Sequence, residues 1–125
     1  MLLVKTYLSK SKIQGIGLFA DEFIPKGKLI WKLVPKFDLI LKKKDVNKLP
    51  KIAKSFVLHY GYYNDKEGGW IICVDNSRFM NHSENPNTDD TTLVGTIAKK
   101  DIHQGEEIIC NYFEFDKSSN LKLKK

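Results

Sequence analysis

Apolar residues in this chain fall in short extended runs separated by glycine, proline and polar turn residues, and only one stretch repeats them at helical spacing. Leu2 to Leu8 reads as a first strand, Gln14-Gly-Ile-Gly17 as a tight loop, Leu18 to Ala20 as a second short strand, and Ile24-Pro-Lys-Gly27 as the next turn. Leu29 to Val34 is expected to be a strand ended by Pro35. Between Asp45 and Tyr60, the residues Leu49, Ile52, Ala53, Phe56 and Tyr60 predict a helix with Pro50 in its first turn and Gly61 at its end. Asn64 to Gly69 is a turn, and Trp70 to Val74, Leu93 to Ala98 and Glu107 to Phe113 complete the strands. The pattern predicts one mainly β domain over residues 1–116, without internal repeats and with one or two short helices. A polar, Lys-rich tail, 117–125, follows it.

A chain of 125 residues is about one domain's worth and can bury a modest core. No apolar run approaches the ~20 residues that span a bilayer. Lys5 and Thr6 interrupt the first apolar run, which therefore lacks the ~7-residue core of a secretory signal. A reducing compartment is expected: the cytoplasm, or the interior or nucleus of a host cell. Cys73 and Cys110 are far apart and lie in apolar runs, as buried thiols do. His59, Cys73, His82, His103 and Cys110 lack the close spacing of a zinc site, and no metal is expected. Nothing resembles the nucleophile elbow of a hydrolase.

Charge divides the chain. Residues 1–64 carry 13 Lys against 4 acids, for +9, whereas residues 65–125 carry 8 Lys or Arg against 11 acids, for −3. Within the second part, Phe79 to Asp116 alone reaches −6. A negative field there favours a cationic partner, and the basic first part could meet nucleic acid or stay a solvated surface.

Two runs carry the chemistry. Arg78-Phe-Met-Asn-His-Ser-Glu-Asn-Pro-Asn87 reads as a strand entering a structured loop, and Gly105-Glu-Glu-Ile-Ile-Cys-Asn-Tyr112 as a turn and a strand that delivers a tyrosine. Alone, Asn81 and His82 would be turn residues and Tyr112 a packed strand tyrosine. Together with Gln14-Gly-Ile-Gly-Leu-Phe-Ala20 and Ile24-Pro-Lys-Gly27, in this order and spacing, they resemble the motifs of the SET-domain protein lysine methyltransferases across Lys12 to Asp116.

The resemblance implies the β-clip-like SET fold: short curved sheets, with the last segment threaded beneath the loop after Asn81-His82. It implies S-adenosylmethionine as methyl donor and a lysine side chain as acceptor, meeting from opposite faces of a narrow channel. Carried over residue by residue, Gln14, Gly15, Ile16 and Gly17 would approach the donor through the main chain. Asn81 would bond its amino-acid portion, and His82 would hold adenine with main-chain groups. Phe113 and Phe115 are candidates for stacking on adenine. Tyr112 would be the catalytic hydroxyl, orienting the amine and easing the sulfonium charge. Glu106 and Glu107 read as turn and surface acids outside the catalytic set.

Departures from the family pattern carry expectations of their own. The flanking cysteine-rich zinc segments are absent, so the tail, a second subunit in a homodimer, or the substrate must close the lysine channel. Trp31-Lys-Leu-Val-Pro35 replaces a Tyr-x-Gly-like element and changes the far wall of the donor pocket. Asn111 stands where an acid often precedes the tyrosine. Cys110, in a channel position often held by Phe or Tyr, leaves room for methylation beyond the first. The expected substrate is a basic protein such as a histone-like, nucleoid or ribosomal protein. The alternative is a catalytically silent module of the same fold that binds nucleic acid or chromatin through its basic half.

Overall fold

The computed structural model describes residues 1–116; the expected tail, 117–125, lies outside the described residues. The described residues form ten short strands, two helices and two 3₁₀ turns, with the strands arranged as four small sheets. Strands β1 (Thr6–Lys10) and β2 (Ile16–Ala20) make an antiparallel hairpin in which Thr6 faces Ala20. Leu2 and Val4 pack on the core instead of joining that hairpin, and Leu2 bridges to Trp31. The apolar signal at the start of the chain thus marks packing, and the pairing falls to the more exposed Thr6–Lys10.

β3 (Leu29–Trp31) pairs with β9 (Thr96–Ala98), which pairs with β8 (Thr88–Asp89). The third sheet joins β4 (Leu39–Lys42), β6 (Gly69–Ile72) and β5 (Tyr62–Asn64). β4 had no counterpart in the sequence reading, because its Leu-Ile-Leu-Lys run lacks period-two alternation. The single expected helix divides into α1 (Lys43–Asn47) and α2 (Lys51–Tyr60). Pro50 causes the break: it disfavours helical geometry at Leu49 and becomes the cap of α2. Gly61 does end α2, where a Cβ would come 2.7 Å from the Val57 carbonyl oxygen. The expected strand Leu93–Ala98 shortens to β9, leaving Leu93 and Val94 exposed in the preceding loop.

Both site segments also depart from strand form. Asn76–Phe79 is a 3₁₀ turn capped by Asp75, whose carboxylate accepts from the Ser77 amide at 3.1 Å. β7 (Asn81–His82) follows and pairs in parallel with β10 (Ile109–Cys110). Tyr112–Glu114 is a second 3₁₀ turn, so Tyr112 opens a turn and is not carried at a strand end. Its cap is the Asn111 side chain, which accepts from the Phe113 amide at 3.0 Å.

The main core gathers Leu18, Ala20, Ile24, Ile30, Met80, Ala98, Ile102, Ile108 and Cys110, with Tyr112 and Phe115 packed against it. A smaller cluster of Val46, Val57 and Ile72 seats the helices on the third sheet. Burial of aliphatic side chains of this kind contributes about 1.5–3 kcal/mol each. Tyr112 therefore stands on the edge of the largest apolar cluster, where packing limits its rotamers.

Candidate active site

The β7–β10 pair builds the site by holding two distant parts of the chain in register. Ile109 lies beside Asn81 and Cys110 beside His82, and the Ser83 amide donates to the Cys110 carbonyl at 2.9 Å. The other edge of the same segment is held by side chains. Asn87 Nδ2 donates to the Glu107 carbonyl at 2.8 Å, Asn87 Oδ1 accepts from the Ile109 amide at 2.9 Å, and Thr88 Oγ1 donates to the Ile109 carbonyl at 2.9 Å. Residues 107–110 are thereby enclosed between β7 and the loop that follows it.

Two cavities meet at Tyr112. One, of about 420 Å³, is lined by Gln14, Gly15, Ile16, Asn81, His82 and Tyr112. The other, of about 480 Å³, is lined by Tyr62, Cys73, Asp90, Cys110, Tyr112 and Phe115, among others. Met80, Tyr60 and Arg78 also line both. Arg78 is held by the Asp75 carbonyl at 3.2 Å and lies 4.8 Å from the centre of the Phe79 ring, a cation–π distance.

The Tyr112 hydroxyl donates to the Met80 carbonyl at 2.9 Å, and its main-chain amide donates to His82 Nδ1 at 3.0 Å. Burial, then the neighbouring Cys110 and Asp116, push the phenol well above the ordinary tyrosine range, so it stays protonated. His82 contributes its ring to the position of Tyr112, beyond the main-chain role expected of it.

Glu107 is the residue the sequence reading undervalued. Its carboxylate accepts from Ser11 Oγ at 2.9 Å and from Asn81 Nδ2 at 3.0 Å, and Asn81 Nδ2 also donates to the Gln14 carbonyl at 3.1 Å. This knot ties the Gln14–Gly17 loop to β7. Gly17 lies against it: a Cβ there would fall 2.4 Å from Glu107 Oε2. Gly15 is needed for a different reason, its left-handed φ of 50° in open space. The two aromatics after Tyr112 separate. Phe113 is exposed beside His82, with ring centres 5.6 Å apart, whereas Phe115 packs on Tyr62 at 5.2 Å in the wall of the larger cavity. Trp31, Lys32, Leu33 and Pro35 likewise border the larger cavity and not the one at Gln14–Ile16. Both cysteines are buried thiols, and no group of three potential metal ligands occurs among the described residues.

Comparison with known families matches the SET domain over residues 15–113. The chain belongs to the SET-domain family. Curated proteins give no match. Among solved structures, this SET domain is similar to a candidate histone methyltransferase of Plasmodium falciparum, at 21% identity and a TM-score of 0.62, over 89% of this chain and 95% of that one. It also resembles the Polycomb Repressive Complex 2 of Chaetomium thermophilum. An autoinhibited form bound to S-adenosylmethionine aligns at 23% identity and a TM-score of 0.67, over 94% of this chain and 16% of that one. An apo form gives 23% and 0.70, over 95% and 16%. These likenesses establish the fold: small, mainly antiparallel sheets with two helices.

Proposed function

We propose that this SET domain transfers a methyl group from S-adenosylmethionine to the side-chain amine of a lysine in a basic protein. The observation that carries the reading is the pair of cavities that share Tyr112 as a common wall. Ligands held in the two cavities would meet at that tyrosine, as displacement at a methyl carbon requires of donor and acceptor.

The smaller cavity falls within the ~300–1,000 Å³ of small-molecule sites and is lined in part by Gln14, Gly15 and Ile16. It is the donor side of this reading. Asn81 spends its amide nitrogen on Gln14 and Glu107, which leaves its amide oxygen to accept from the donor's ammonium. Phe113, beside His82, is the aromatic for the adenine. When bound, the donor supplies an activated methyl on a sulfonium. The chain's own part is to align the neutral amine, exclude water and present the Tyr112 hydroxyl as a fixed dipole.

The larger cavity is the acceptor side. Cys110 gives its wall a small side chain, so we assign it capacity for an amine that already carries a methyl group. Mass spectra of exhaustively methylated peptide should show more than one methyl per lysine, and a product that stops at one refutes this assignment. The whole reading is tested by transfer from labelled S-adenosylmethionine to a panel of basic proteins, with Tyr112→Phe beside the wild type. Labelling lost in the variant supports it; no transfer and no calorimetric binding of the donor move the weight to a silent binding module.

A further inference from the structure

Asp90 follows β8, and its side chain lies in the wall of the larger cavity. Oδ1 accepts from Thr96 Oγ1 at the start of β9. Its main-chain amide donates to Glu114 Oε1 at 3.2 Å, which ties it to the 3₁₀ turn opened by Tyr112. Oδ2 is sealed from solvent and has no hydrogen-bond partner. The charged groups that act on Asp90 are Glu114 and Asp89, both negative, and Tyr62, in the lining of the same cavity, lies within reach of its charge. Lys32, Lys66, Glu67 and Arg78 line the same cavity, yet the ion pair found among the described residues joins the Met1 amine to Asp38, at 3.0 Å. A carboxylate enclosed this way, with only like charges acting on it, costs stability, and such a cost is commonly tied to function.

Resting on the function proposed above, we infer that Asp90 is a positioning residue for the acceptor: its charge in the cavity wall draws the cationic lysine side chain of the substrate toward Tyr112. The charge acts by Coulomb attraction from the cavity wall, where it is screened less than on an open surface. Burial, opposed by the Thr96 hydroxyl and reinforced by Glu114 and Asp89, pushes the Asp90 carboxyl up to about 6. The attraction is therefore present at neutral pH and lost below that value.

Steady-state methylation of a lysine peptide by the wild type and Asp90→Asn, across pH, tests the inference. Asn keeps an acceptor for Thr96 and the size of the side chain while removing the charge. The expected result at neutral pH is a KM for peptide raised about tenfold in the variant, with kcat and the donor KM unchanged. The wild-type peptide KM should also climb as pH falls through about 6, and the variant should lack that limb. Equal peptide KM values in the two proteins, with donor binding intact in both, overturn the role of Asp90 alone. A wild type that neither binds donor nor transfers methyl overturns this inference together with the function it rests on. A kcat effect at unchanged KM also refutes it, since a structural disturbance of the Tyr112 turn would read out there.

Discussion

At the scale of single residues, the site separates groups that act from groups that hold. Tyr112→Phe removes one hydroxyl bond to the Met80 carbonyl, worth about 1 kcal/mol of stability, while deleting the hydroxyl of a residue that lines both cavities. Methyl transfer should fall by roughly 10²–10³-fold with the melting temperature little changed. Single-turnover assays beside thermal melts check both halves. Asp90 should behave in the opposite sense. Its carboxyl is raised from 3.8 to about 6, so its ionisation opposes folding: the stability associated with it is complete below its unfolded value and lost as pH rises through about 6. Asp90→Asn should therefore stabilise the protein at pH 7, by on the order of 2 kcal/mol, and the gain should vanish toward pH 4. Paired denaturant titrations at the two pH values measure it, and equal gains at both would contradict the assignment.

Elements fix what single residues cannot. The residues the motifs single out, Gln14 to Ile16, Asn81, His82 and Tyr112, do come together around one cavity, because the order of the motifs reflects which segments must pack side by side. The elements carrying them were less legible in the sequence. Tyr112 sits in a 3₁₀ turn, because Asn111 caps it through the Phe113 amide, a local bond that hydrophobic alternation does not register. Pro50 split the helix, and Leu93 and Val94, apolar enough to suggest a strand, stand exposed in a loop. Glu107 was read as a surface acid because its partners, Ser11 and Asn81, are 96 and 26 positions away. That knot is testable as a unit. Gly17→Ala drives a methyl into a carboxylate that Ser11 and Asn81 hold in place, and should weaken donor binding by about tenfold. In a Glu107→Ala background, where donor binding is already weaker, the same glycine change should cost almost nothing. Calorimetry of the four proteins in this cycle should give a coupling of about 1–2 kcal/mol. Additive effects would mean that the loop and β7 are not joined through Glu107.

For the molecule as a whole, the division of charge is a statement about partners. No helix among the described residues is long and apolar enough to cross a membrane. Lys43, Lys44, Lys48 and Lys51 on and between the helices are exposed, and none lines either cavity. The acids of the second half differ in setting: Glu107 is tied to Ser11 and Asn81, whereas Glu106 and Asp101 are exposed and accept from the His103 and Lys26 amides. Asp90 remains in the wall of the larger cavity, with Glu114 tied to its amide. If Asp90 is the charge that draws the peptide, the attraction should be local to that cavity. From low salt to roughly 0.5 M, the peptide KM should rise several-fold, less steeply than the log–log law for a phosphate-binding surface. Replacing the four helix lysines by glutamine should leave that KM and its salt dependence unchanged. If it instead lowers KM, those lysines repel the peptide and the whole-molecule field governs encounter. If it raises KM only for substrates bound to DNA, the basic face holds the polyanion while the cavity takes the lysine.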